Sequence, residues 1–379
     1  VQNIFKDLTH FRLGGLFQLS ILHHAKGGCV FGKNCFIHCL GRVKSLSLKR
    51  ISFSHWAIVL MFARDFLPIS VATLVPTTSV GMDLYQVNAN KDRLVLYRSG
   101  DYPLEPSDID RLRERGVHRL YISTDNRDAY QNYLRRISEC DPALGEVSIQ
   151  ARVGALSEVV RDLLSTSFST NDVAQTVQVA GDLAEMACNL ICQDGFKSND
   201  LFQVLHHDYT TFTHSANVAL YATMLAKGLG FNAKDITQVT AGGLLHDFGK
   251  LEIPESILCK PGRLDEEEFR IIQMHPTLGY RRLVHREDLT YGQLMMVYQH
   301  HERLDGSGYP VGVPASEIHP WAKLCAIVDV FEAVTSIRPY RKPMPRGEAI
   351  QLLRRDAGNV LDKEMVQCWA STIQTNSTN

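Results

Sequence analysis

Past Pro142 the chain changes its period, and that change limits the fold more than any other feature of the sequence. The stretches VGALSEVVRDLLSTSF and NDVAQTVQVAGDLAEMACNLIC repeat apolar residues every three or four positions, which lines up one face of an α-helix. Strand signals are sparse from there on, so the spacing predicts a helical bundle over residues 150–375. Upstream, FLPISVATLV, DRLVLYRSG and VHRLYIS read as short strands rich in β-branched residues, with a turn at Asn88–Asp92. EPSDIDRLRERG reads as a helix capped at Ser107, with arginines late and Gly116 as the stop. The expected fold is α+β and multidomain, a small N-terminal α/β module followed by an all-α bundle. Its divisions are a poorly ordered basic extension (1–60), a regulatory module (61–140), leading helices or linker (141–200) and a domain with the chemistry (201–375).

Residues 1–60 differ from the rest. They hold eight Lys/Arg against the single acid Asp7, with five histidines and no sustained period. Cys29, Cys35 and Cys39 with His38 lack the paired CxxC of a zinc module, so a loose extension is the plainer reading. The chain starts with valine, and translation is expected to begin near Met61. Over the whole sequence, 40 Lys+Arg face 41 Asp+Glu, which gives no electrostatic case for a nucleic-acid polymer or a membrane surface. The odd count of nine irregularly spaced cysteines suits reduced thiols, hence a cytoplasmic setting. No apolar run approaches the roughly 20 residues of a membrane span.

Chemistry concentrates late in the chain. Nine of the fifteen histidines fall between 206 and 319. TFTHSANVALYATMLAKGLG puts His214 near the start of a helix, and TAGGLLHDFGK puts His246 and Asp247 at the end of one, with Lys250 three positions on. His275 precedes Pro276, His300 and His301 are adjacent in HHERLDGSGYP, and Asp329 is a lone acid in the apolar stripe LCAIVDVFEAVT. A single helical histidine is usually a satisfied core residue, and a buried Asp can pair with an arginine. Together those bland readings weaken, because ionised carboxylates among Leu, Ile and Val are costly without a cation. Imidazole with carboxylate suits first-row metals such as iron or manganese, and zinc. Neighbours on a helix point roughly 100° apart, so His300 and His301 are expected to serve two centres. A carboxylate at Asp247 has two oxygens with which to bridge. Two ions roughly 3.5–4 Å apart can bind a phosphate and activate water, so the expectation is a two-metal phosphoesterase.

The ordered set HDFGK and HHERLDGSGYP, with His214, His275 and Asp329, resembles an HD-GYP domain, a branch of the HD superfamily of helical metal-dependent phosphohydrolases. The likeness is close over roughly 200–345. It implies hydrolysis of the bacterial second messenger cyclic di-GMP, to pGpG and in some members GMP, at a pair of divalent ions, iron or manganese first. It implies His214, His246, Asp247, His275, His300, His301 and Asp329 as ligands, with Asp247 bridging. Lys250 would stabilise charge on a phosphoryl oxygen, and Arg338 and Arg341 in SIRPYRKP would grip phosphates. Some members carry a glutamate four residues before the first histidine for a third metal; Thr210 stands there, so the resemblance implies a dinuclear site. DGSGYP reads as a rigid turn shaping the site and a partner surface. The competing reading is a catalytically weak scaffold that recruits diguanylate cyclases or other proteins through the GYP turn or the N-terminal module, with a homodimer left open.

Overall fold

The computed structural model describes residues 65–374 except 77, 89–92, 171, 206–210, 261 and 338–341. The basic extension with its cysteines, Met61, Thr210, Arg338 and Arg341 lie outside the described residues.

The N-terminal module is a four-stranded antiparallel sheet in the order β1-β4-β2-β3: β1 (Phe66–Ser70), β2 (Leu84–Val87), β3 (Leu94–Arg98) and β4 (Arg119–Ser123). β1 and β4 pair over their full length, Phe66 opposite Ser123 and Ser70 opposite Arg119. Helix α1 (Pro106–Glu114) crosses from β3 to β4, and α2 (Arg127–Ser138) follows β4. β2 and α2 were not foreseen. The cap of α1 lies two residues before the expected Ser107: Glu105 holds the N-cap, Pro106 opens the helix, and Asp108 accepts the Glu105 N–H at 3.0 Å. Gly116 ends the segment with φ of 67°, as the sequence indicated.

From Ile149 onward the chain is helical. Its long helices are α3 (Ile149–Thr170), α4 (Val173–Cys192), α6 (Thr211–Gly228) and α7 (Ala233–Leu245), with α5 (Ser198–Val204) between α4 and α6. After α7 come a 3₁₀ turn (Phe248–Glu252) and the short α8 (Glu255–Leu258) and α9 (Glu266–Ile272). α10 (His275–Leu283), α11 (Tyr291–Gln299), α12 (Pro320–Thr335), α13 (Arg346–Asp356) and α14 (Lys363–Gln374) complete the set. α7 lies at the centre, packed against α4, α6 and α11, and α12 covers α6 and α11. An aromatic knot of Tyr221, Phe331 and Trp369, with ring centroids 5.2–5.5 Å apart, fixes α6, α12 and α14 together. Cys188 and Cys192 lie a turn apart on α4 with sulfurs 3.7 Å from each other; Cys188 is buried and Cys192 half-buried. Among the described residues no helix is long and apolar enough to cross a membrane.

Candidate metal centre

Five elements deliver the site. His214 enters from the first turn of α6, and His246 with Asp247 closes the C-terminus of α7. His275 opens α10, His300 and His301 end α11, and Asp329 points in from α12. The approach of α10 depends on one glycine. A Cβ on Gly249 would lie 1.9 Å from the His275 carbonyl oxygen, so the glycine of HDFGK lets α10 reach the HD turn.

Asp247 is the hub, 1% exposed. Its Oδ2 lies 3.3 Å from His214 Nε2 and 3.4 Å from His246 Nε2, and its Oδ1 lies 3.2 Å from His275 Nε2 and 3.8 Å from His300 Nε2. One carboxylate thus faces two groups of imidazoles with two different oxygens. Asp329 adds Oδ1 at 3.1 Å from His214 Nε2 and Oδ2 at 3.9 Å from His301 Nδ1. Ligand atoms of His214, His246 and Asp329 lie within 4.8 Å of one another, as do those of His275, His300 and His301, and those of His246, Asp247 and His300.

The adjacent histidines lie close together, with ring centroids 4.1 Å apart; both share a trio with His275, and His300 alone also groups with His246 and Asp247. Both follow the last residue of α11, Gln299, and His300 keeps a helical backbone.

Hydrogen bonds decide which nitrogens face inward. His246 Nδ1 donates to the Gly243 carbonyl at 2.7 Å, His275 Nδ1 to Ile272 at 2.7 Å and His300 Nδ1 to Met296 at 2.9 Å. Their Nε2 atoms therefore carry lone pairs, and two of these, on His275 and His300, stand 3.2 Å apart. Among the described residues, the buried His246 Nε2 and Asp247 Oδ1 find no hydrogen-bond partner. Apart from Lys250, which donates to Asp247 Oδ2, the converging groups are lone pairs and carboxylate oxygens, which cations satisfy, so the residues present fit divalent metal ions.

Charge supports the same picture. Burial pushes His300 well below the ordinary imidazole value, helped by His301, His246 and His275; burial and His275 take His301 down to about 3. These rings stay neutral, as ligands must. Burial would raise the Asp247 carboxyl, but Lys250, His246, His214 and His275 outweigh it and hold it well below the usual range. His214 goes the other way: burial lowers it, yet Glu332, Asp247 and Asp329 raise it well above normal.

Lys250 Nζ stands over the hub, 2.5 Å from Asp247 Oδ2. Sequence reasoning missed three neighbours. Glu332, 1% exposed, accepts from His214 Nδ1 at 2.5 Å, Asn217 at 3.2 Å and Ser336 at 2.5 Å. Such a carboxylate behind a histidine fixes its tautomer and raises its basicity, as is usual behind metal-binding imidazoles. Its signal was an acid one helical turn beyond Asp329 in an apolar stripe. Glu302 accepts the N–H groups of Val311, Gly312 and Val313, and Tyr309 stacks on His301.

A helical bundle enclosing a converging histidine–aspartate cluster defines the class, a metal-site bundle preceded by a small sheet module. The segment of residues 201–365, somewhat under half of the chain, matches the family model described as HD domain. Over 149 residues it is 42% identical to 3'3'-cGAMP-specific phosphodiesterase 1 of Vibrio cholerae, covering 38% of this chain and 34% of that protein. Over 179 residues it is 35% identical to a cyclic di-GMP phosphodiesterase of Thermotoga maritima, covering 45% of this chain and 48% of that one. The chain thus spans about a third to a half of the length of these relatives. Among solved structures, Bd1817, an HDGYP protein from Bdellovibrio bacteriovorus, superposes with a TM-score of 0.61 at 22% identity, covering 82% of this chain and 99% of that one. That likeness is one of fold.

Proposed function

We propose that this chain is a metal-dependent phosphodiesterase that hydrolyses cyclic di-GMP, opening one phosphodiester to give pGpG, with GMP as the product of a second cut. The observation that carries the reading is Asp247, whose two oxygens face two separate imidazole groups. Nitrogen and carboxylate donors of this kind suit a pair of divalent ions, iron or manganese before others. When bound, such a pair would supply Lewis acidity to a phosphoryl oxygen and lower the pKa of a water.

The chain's own residues do the rest. His214, His246 and Asp329 would hold one ion, His275, His300 and His301 the other, and Asp247 would span them. Carbonyls behind three of the imidazoles and Glu332 behind His214 keep the inward nitrogens aimed. Lys250 would stabilise charge developing on a phosphoryl oxygen, and Arg338 and Arg341 would grip the substrate's phosphates. The protein would act in the bacterial cytoplasm, with partner proteins meeting it at the GYP turn or the N-terminal module.

A second substrate, 3'3'-cGAMP, is favoured by the 42% identity to a relative of that specificity. The test is turnover of both cyclic dinucleotides by the full chain, purified and loaded anaerobically with Fe(II) or Mn(II), with products identified by mass spectrometry. Cyclic di-GMP should be converted first to pGpG. Faster conversion of 3'3'-cGAMP would transfer the assignment to that substrate, and a fully loaded protein inert toward both would support the scaffold.

A further inference from the structure

Four of the five clustered histidines are anchored through Nδ1. His214 is held by Glu332, and His246, His275 and His300 by backbone carbonyls. His301 is the exception. Among the described residues its ring makes no hydrogen bond, and its Nδ1 stands 3.9 Å from Asp329 Oδ2, beyond hydrogen-bonding reach. Besides the His300 and His275 rings, 4.1 and 5.0 Å away, it has one flat, stacked neighbour: the Tyr309 ring lies 4.6 Å away, centroid to centroid, at an interplanar angle of 29°.

The turn between these residues is built to make that contact. Tyr309 N donates back to the His301 carbonyl at 3.2 Å, and Gly306 N to Arg303 at 2.9 Å. A Cβ on Gly308 would sit 2.5 Å from the Arg303 nitrogen and 2.6 Å from the His301 carbonyl oxygen, so only glycine lets the chain close this tightly. The Glu302 carboxylate, 4% exposed, then holds the far side through N–H bonds of 2.9–3.2 Å from Val311, Gly312 and Val313. Each device points the returning strand, and with it the tyrosine ring, at His301.

We propose that Tyr309 is a positioning residue for His301, and that it sets how tightly the His275–His300–His301 trio retains its cation without affecting the His214–His246–Asp329 trio. The inference rests on the reading of both trios as metal-holding. An imidazole free to rotate loses affinity as one with a lost outer partner does, by about tenfold or more. A planar ring is what the contact needs; the phenol hydroxyl is not.

The experiment is a competition titration of Mn(II) against a chromophoric chelator on the full chain, with metal content measured after dialysis. Wild type should show two sites. Tyr309→Phe should leave both within about twofold, whereas Tyr309→Leu should weaken one site about tenfold or more and spare the other. Should Leu not fold, Tyr309→Met carries the same expectation. Wild-type curves for Leu, equal weakening of both sites, or a Phe variant as impaired as Leu would each overturn the role of the ring while leaving the two-metal reading intact. A wild type that holds a single ion overturns both.

Discussion

Two buried aspartates, one in each half of the molecule, show what separates a self-contained structural charge from one whose partners suit a cation. Asp108 of the sheet module is 2% exposed and Asp247 of the bundle is 1% exposed. Asp108 accepts from the guanidinium groups of Arg98 and Arg111 and from the Glu105 N–H. Every one of those partners is a donor, and the site is complete in itself. Asp247 has a single permanent donor, Lys250, and otherwise faces imidazoles, three of which turn lone pairs toward it. Both carboxyls sit below the ordinary value, in each case because nearby donors outweigh the upward push of burial. Depression alone therefore does not mark a functional acid. The chemistry of the partners does.

Breaking the hub should have the largest effect. His246→Ala combined with Asp247→Ala should abolish turnover and strip the metal, with far-UV circular dichroism still reporting a helical protein. Metal content equal to wild type would refute the site. Glu332→Gln tests an acid of intermediate character, satisfied by donors yet placed behind His214. It should lower metal affinity by about 10–100-fold, measured by the same chelator competition. Unchanged retention would make Glu332 a core residue. Asp108→Ala should leave metal content and turnover intact and lower stability by about 1–3 kcal/mol in urea unfolding, because its arginines are exposed enough to return to water. Loss of metal in that variant would erase the distinction between the two regions.

The helical half was legible because α3, α4 and α6 are long enough for their apolar period to be counted, and because the histidines cluster in sequence before they cluster in space. What was not legible depended on what the fold sets opposite a residue. β2 is four residues long, and its place in the sheet comes from Tyr85 meeting Tyr121, a pairing no local period carries. That His300 falls in two groups, one with His301 and one with His246 and Asp247, depends on which helices meet the end of α11 and is not legible from the adjacent pair itself. Glu302 and Glu332 are both buried glutamates near the histidine cluster. One binds backbone amides of a turn and the other a histidine, and neither role is written in its sequence neighbours.

The gentlest comparison uses pH on metal-stripped protein. His246, His300 and His301 are held below the ordinary imidazole value of 6.5, by burial first, with His301 at about 3. Below about pH 6.5 the unfolded chain takes up protons at these positions and the folded chain does not, so stability falls as pH drops. His214 has the opposite sign. Its folded value is raised by Glu332, Asp247 and Asp329 against the effect of burial, so its contribution is full below about pH 6.5 and is lost as pH climbs through the folded value. Asp108, with a carboxyl already below 3.8, loses its contribution only in more acidic solution. The window from about pH 5 to 6.5 therefore isolates the imidazoles of the bundle from the ion pairs of the module. The urea midpoint should rise across it in wild type and in Asp108→Ala alike. A midpoint that is flat or falls there would mean that His246, His300 and His301 are protonated in the folded state, leaving them no lone pair for a metal.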